Sequence, residues 1–148
     1  DVIKELKNKV DWIIVGDCPS NIKSYVREIH DMPTVENHMA FMMSLDLDIA
    51  VIPEGDRLGN YEYSSSKIIE HGICGASVIC SHSFDIYKNL PINVVPNRYK
   101  DWVDTINIHL SDFGASKKQG KELQEIIDKY WMLDKNSVND WLKNWLPD

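Results

Sequence analysis

The chain lacks the features that would sort it quickly into several large classes. No stretch approaches the ~18 consecutive apolar residues that a membrane-spanning helix requires. Yet 43% of its 148 residues are hydrophobic, enough to bury a real core. Its three cysteines, Cys18, Cys74 and Cys80, are odd in number and form no C-x-x-C. They read as small packed thiols of a reducing cytosol, not as a disulfide framework. The five histidines show no metal-ligand spacing with matching Cys or Asp, so no metal site is expected. A basic excess is missing too: 16 Lys and Arg stand against 23 Asp and Glu, a net charge of -7 with both signs mixed. That disfavours a general nucleic-acid binder, which needs a basic face. There is no G-x-G-x-x-G, which disfavours a plain dinucleotide fold, and no G-x-S-x-G elbow, which excludes a hydrolase of that type. The start, Asp1 to Lys7, is charged and amphipathic and does not read as a signal peptide. An initiator Met is absent, which suggests a piece of a longer chain.

What is present is an alternation of apolar runs and amphipathic stretches. By length the 148 residues form one domain. Val10 to Gly16 is a short apolar run ending in glycine, a buried strand. Pro19 and Ser20 open a stretch through Ile29 in which Ile22, Tyr25, Val26 and Ile29 fall on one helical stripe. Met32 to Val35 reads as a weak edge strand, because Pro33 cannot donate to a ladder. Glu36 to Leu45 is helical, Asp48 to Pro53 a fully apolar strand, 53–63 a polar loop and Ser64 to Cys74 a helix. Ala76 to Cys80 is a strand, Ser83 to Asn89 a short helix and Ile92 to Val95 the last strand. Three amphipathic sets follow from Arg98, centred on Trp102 and Ile106, on Leu123 and Ile127, and on Trp141 and Trp145.

Continuous apolar strands separated by helices predict an α/β fold. The expected form is a doubly wound parallel sheet of about five strands with C-terminal helices. Such sheets bind ligands at the carboxyl ends of their strands. Three loops qualify: Gly16 to Ser20, Pro53 to Tyr63, and Ser81 to Ser83. Within this frame the most informative stretch runs from Glu62 to Glu70. If a helix begins at Ser64, its first-turn amides, the hydroxyls of Ser64, Ser65 and Ser66, and the Lys67 ammonium suit a diphosphate without a metal. Glu70, a turn and a half further on, is placed to accept hydrogen bonds from two ribose hydroxyls. A serine N-cap with a solvated lysine and an exposed glutamate is the bland reading of the same residues. Gly72 suggests close approach of this helix to a neighbour, and Gly75 its C-cap. A phosphate-accepting receiver domain would want an aspartate ending the third strand and a lysine ending the last. Here Ile52-Pro53-Glu54 and Val95-Pro96-Asn97 stand there instead.

The order of elements resembles the C-terminal, donor-binding half of GT-B glycosyltransferases of the retaining E-x7-E type, close to surface-polysaccharide and O-antigen enzymes. Trp12-Ile-Ile-Val-Gly-Asp-Cys-Pro19 resembles that family's strand ending in Val-Gly-x-x-Pro. Leu45 to Pro53 resembles its L-D-L-D-I-A-L-x-P strand. Ser66-Lys67-Ile-Ile-Glu70-His-Gly72-Ile-Cys-Gly75-Ala-Ser-Val-Ile79 resembles its S-K-x-x-E block, with Ser77 where proline is usual. The resemblance covers nearly the whole chain. It implies a Rossmann-like nucleotide-sugar-binding domain over residues 1–148 and transfer of a sugar to a glycan or lipid-linked acceptor, without metal or cofactor. Glu70 would hold the ribose, the Ser64–Lys67 segment the diphosphate, Glu62 would contact the donor sugar as the catalytic carboxylate, and Gly16 would border the site.

The family begins this half with a central strand and a basic turn, and this chain starts at the following helix. The acceptor-binding half is absent as well, so the resemblance implies a fragment inactive alone. It also implies a cytoplasmic parent protein at the inner face of the membrane. With the central strand removed, the expected strand order is 2-1-3-4-5, closed by pairing of Ile13–Val15 with Ile49–Ile52. If the missing half covers Trp141 and Trp145, the fragment either exposes an apolar patch or buries it in a homodimer; otherwise the two indoles cap its own core. The rival from another class is a non-catalytic nucleotide- or phosphosugar-binding or receiver-like signalling module.

Overall fold

In the computed structural model the described residues are 1–53, 61–81, 87–132 and 138, with backbone alone at 61–65. The elements in chain order are α1 (Val2–Leu6), β1 (Ile13–Val15), β2 (Glu28–His30), α2 (His38–Ser44), β3 (Ile49–Ile52), α3 (Tyr61–Ile73), β4 (Ser77–Cys80), β5 (Asn93–Val94), α4 (Tyr99–Ser111) and α5 (Phe113–Tyr130). Every strand pair is parallel. The architecture is therefore α/β, as the apolar runs predict.

The three-stranded sheet β3-β4-β5 is the centre of the molecule. Its strands alternate strictly between two apolar layers. Ala50, Ile52, Val78 and Cys80 face Ile68 of α3 and Leu123 and Ile127 of α5. Ile79 faces the other way, into Leu6 of α1 and Trp102 and Ile106 of α4, with Ile49 and Val51 beside it. Both faces are covered, which is why β4 carries no polar alternation and is buried along its whole length. The helix–sheet contacts are unusually close at two glycines. A Cβ on Gly72 would meet Ile127 and Leu123 of α5, and one on Gly120 would meet the backbone of Gly75, Ala76 and Ser77. Gly75 ends the turn after α3 at φ +85°, the left-handed cap expected of it.

The N-terminal third corrects first the expected elements and then their closure. The stretch 20–29 is not a helix: it makes one 3-10 turn, Lys23–Tyr25, and then the strand β2. The turn has no side-chain cap, and a helix that short is marginal without tertiary support. The edge of β1 offers backbone partners instead: Arg27 and Glu28 N–H both donate to Trp12 C=O, and Gly16 N–H to His30 C=O. The expected strand at Met32–Val35 is displaced to Glu28–His30, and Val35–Asn37 forms a 3-10 turn leading into α2.

The second correction concerns closure. The expected neighbours 2-1, 3-4 and 4-5 are all present, but β1 does not pair with β3, so β1-β2 is a separate two-stranded sheet. Between the two sheets lies a cavity of about 770 Å³. Consecutive residues line it from both strands, Ile13 to Val15 on one side and Ile49 to Val51 on the other, so it runs along strand edges and not over a face. The gap continues into a second space of about 390 Å³ that shares Trp12, Ile13, Leu47, Ile49 and Val51. The position of β1 is set by α1, whose Leu6 is fully buried against the α4 layer. Trp12, Met42 and Trp102 line the gap.

Candidate functional site

His38, Lys67 and His71, from α2 and α3, line this gap; Asp1, Asp11, Asn97 and Tyr99 are the polar groups elsewhere in its lining. Packing of α2 on α3 brings His38, the first residue of α2, to Glu70 across 32 positions of sequence. Lys67 Nζ donates to Glu70 Oε2 at 2.7 Å, and His38 Nε2 donates to the same oxygen at 3.0 Å. All three side chains are about four-fifths buried. Burial pushes the Glu70 carboxyl up, but the hydrogen bonds from Lys67 and His38 and their charges outweigh it and hold it below the usual glutamate range. His38, Lys67 and His71 line the cavity; Glu70 stands behind them as the acceptor that orients two of them.

His71 is the most perturbed group of the site. Burial, and next to it the Lys67 charge, lower it to about 4, so the ring is neutral at physiological pH. Its Nδ1 is buried without a hydrogen-bond partner among the described residues, and so is the indole Nε1 of Trp12, which lines the same gap. Unpaired buried polar atoms are uncommon in folded proteins. These two stand on opposite roofs of the gap, His71 on α3 and Trp12 with the apolar layer of α1 and α4.

The structure places the residues expected to bind phosphate as follows. Helix α3 begins at Tyr61, three residues before the expected start. Ser65, Ser66 and Lys67 therefore stand in its second turn, where backbone N–H groups are consumed by the intrahelical ladder. A first-turn anion site would fall at residues 61–63. Glu62 stands on α3 and not in a preceding loop; at 1.5 Å rise per residue its backbone is about 12 Å along the axis from Glu70. The side chains of Glu62, Ser64 and Ser65 lie outside the described residues. Ser66 is exposed and Lys67 faces the cavity. Gly16 ends β1 at φ +97°, and its N–H is already committed to His30 C=O at 2.8 Å. Trp141 and Trp145 and most of the expected third C-terminal helix also lie outside the described residues.

Sequence reasoning missed His38 and His71. Neither has a local signature, because their positions near Glu70 and the gap arise only when α2 packs on α3. A second polar cluster was missed for the same reason. His109 lies with Nδ1 2.8 Å from Ser116 Oγ and Nε2 3.1 Å from Asn93 Oδ1. Ser77 Oγ donates to Ser116 C=O at 2.5 Å, and Gln119 donates to Asn93 Oδ1 at 2.9 Å. Ser77, His109 and Ser116 are buried and none lines the gap, so this network pins α4 and α5 to β4 and β5.

Among the described residues no group of three or more His, Cys, Asp or Glu is placed to hold a metal ion, and no helix is long and apolar enough to cross a membrane. Comparison with protein-family models, with curated proteins and with solved structures finds no match to this chain.

Proposed function

We propose that this chain is the nucleotide-sugar-binding part of a glycosyltransferase with GT-B architecture. The observation that carries the reading is the Lys67–Glu70–His38 cluster on α3 and α2, beside a cavity of about 770 Å³ in a parallel α/β fold. A cation and a carboxylate three residues apart on one helix are the two groups a ribose diphosphate needs, one for the phosphate oxygens and one for the vicinal hydroxyls. In the unliganded chain they neutralise each other. A donor takes over both partners, with Lys67 turning to the diphosphate and Glu70 to the ribose, while His38 keeps the carboxylate oriented. Glu62, about 12 Å along α3 by helical rise, is the candidate for the sugar end. The finer reading of the fold, one continuous doubly wound sheet, needs a strand between β1 and β3 that the described residues do not supply. Transfer itself, with retention of configuration and an acceptor held by a further domain, belongs to the whole enzyme. The test is titration of the chain with UDP- and GDP-sugars, followed by amide shifts of α2 and α3. Movement at Lys67 and Glu70 supports the proposal, and uniformly unperturbed spectra at millimolar donor refute it.

A further inference from the structure

We infer that donor binding by this chain is coupled to the uptake of one proton, and that His38 is the group that takes it up. The inference rests on the donor-binding reading of Lys67 and Glu70 given above.

The geometry sets the coupling. Lys67 Nζ and His38 Nε2 share one acceptor, Glu70 Oε2, at 2.7 Å and 3.0 Å. All three side chains are mostly buried, so little water is at hand to replace a lost partner. A donor that draws Lys67 to its diphosphate takes a full positive charge away from Glu70. It also brings negative charge to the cavity wall that His38 and Lys67 share. A buried carboxylate left without a cation is strongly unfavourable. Either the carboxylate gives up its charge, or another group in contact with it becomes positive. The ribose role argues against the first, because a protonated carboxyl spends one oxygen as a donor and no longer accepts from two hydroxyls on equal terms.

The charged and titratable groups that face His38 narrow the second course to one residue. From α3 they are Lys67, Glu70 and His71. Lys67 is engaged by the diphosphate. His71 is kept neutral by its burial and by the Lys67 charge, with a pKa lowered to about 4. From β2, His30 packs edge-on against Phe41 of α2, but its ring nitrogen is bonded to Glu28. Asp1, Asp11 and Tyr99 line the same cavity from other elements. Glu36, two residues before His38, is exposed. Among the described residues His38 is thus the one group that both touches Glu70 and belongs to the residue type that changes charge near neutral pH.

The place of the proton follows from the hydrogen bond already present. Nε2 carries the hydrogen that it donates to Glu70, so the added proton goes to Nδ1, and the bond to Oε2 becomes charge-assisted. The Lys67–Glu70 pair of the unliganded chain is replaced by a His38–Glu70 pair, while Lys67 stays with the diphosphate. The bound form then holds one proton more than the free form, so affinity rises as pH falls.

The experiment titrates UDP-glucose and GDP-mannose calorimetrically into the 148-residue chain, near neutral pH, in buffers of different ionisation heat. The diphosphate of a nucleotide sugar is a diester with no titrating group near neutrality, so a buffer-dependent heat reports protons taken up by the protein. The expected result is uptake of about one proton per donor bound, with affinity rising up to about tenfold for each unit fall in pH. His38→Gln keeps an N–H for Glu70 but accepts no proton, so it should bind without uptake and with a flat pH profile. The buffer series is read on the parent chain and does not depend on the folding of the variant. Binding without proton uptake in any buffer overturns the inference and leaves the donor-binding reading standing. Uptake undiminished in His38→Gln overturns the assignment to His38. Absence of binding by either donor at millimolar concentration overturns both readings.

Discussion

Lys67 and Glu70 stand three residues apart on α3 and are joined by a 2.7 Å hydrogen bond beside the central gap. Exposed helical pairs of this spacing contribute only a few tenths of a kcal/mol. This pair is mostly buried and shares its acceptor oxygen with His38. Its net contribution to stability is small, because desolvation of both charges offsets their attraction. Its effect is to hold a charged acceptor and two donors in one place next to an open space.

Removing the cation should expose that balance. In Lys67→Met, Glu70 keeps its burial and loses its strongest hydrogen bond, so its pKa should rise from below the usual glutamate range. Carboxyl carbon shifts followed against pH measure this. An unmoved titration would show that Lys67 does not set the state of Glu70.

His71 predicts acid sensitivity. Its folded pKa of about 4 lies below its unfolded value of 6.5. The unfolded chain therefore takes up a proton first as pH falls. Stability is complete above about pH 6.5 and declines as pH falls toward 4, by roughly 3 kcal/mol for a shift of this size. Urea midpoints should drop across that window in the parent, and the drop should shrink in His71→Phe. Equal slopes in the two proteins would contradict the buried neutral ring.

Three glycines on helices should respond differently to alanine. Gly120→Ala drives a methyl into the backbone of Gly75 to Ser77 and should destabilise most, by about 3 kcal/mol or more. Gly72→Ala meets side chains of Leu123 and Ile127 that can shift in part, and should cost about 1–3 kcal/mol. At Gly114 the methyl finds only Asp112 Oδ1 at 3.6 Å, so alanine should be neutral or stabilise by up to about 1 kcal/mol. Denaturant melts of the three variants check the order.

The buried network predicts a cost without a change of shape. Ser116→Ala leaves His109 Nδ1 without its hydroxyl partner and should destabilise by about 1–3 kcal/mol. A variant as stable as the parent would show that Ser116 is not needed to satisfy His109.

How far the sequence could be read depended on whether local patterns or distant partners decide an element. Strands β3 and β4 are legible because Ile49–Ile52 and Ser77–Cys80 are covered on both faces and carry unbroken apolar runs. Gly72 and Gly75 are legible because glycine there has one steric use each. The stripe Ile22, Tyr25, Val26, Ile29 misleads: the backbone of β1, twelve or more residues away, recruits Glu28–His30 into a sheet. The three consecutive serines Ser64 to Ser66 resemble a cap, yet α3 begins at Tyr61. In the site, Lys67 and Glu70 are visible as a helical pair, whereas His38 and His71 gain meaning only from the packing of α2 and the gap beside β1. The open gap itself was hidden, since no local pattern states which strand edges find partners.

Lys67 and Glu70 are proposed as the pair that binds a nucleotide-sugar donor. The most direct test is calorimetric titration of a panel of nucleotide sugars into the 148-residue chain, its Glu70→Ala variant and its Lys67→Ala variant. The account predicts that at least one donor binds the parent. Each substitution should weaken that binding by about 1–3 kcal/mol, with Glu70→Ala also reducing affinity for the free nucleoside diphosphate. Binding of equal strength to all three proteins, or no donor binding the parent at millimolar concentration, would contradict it.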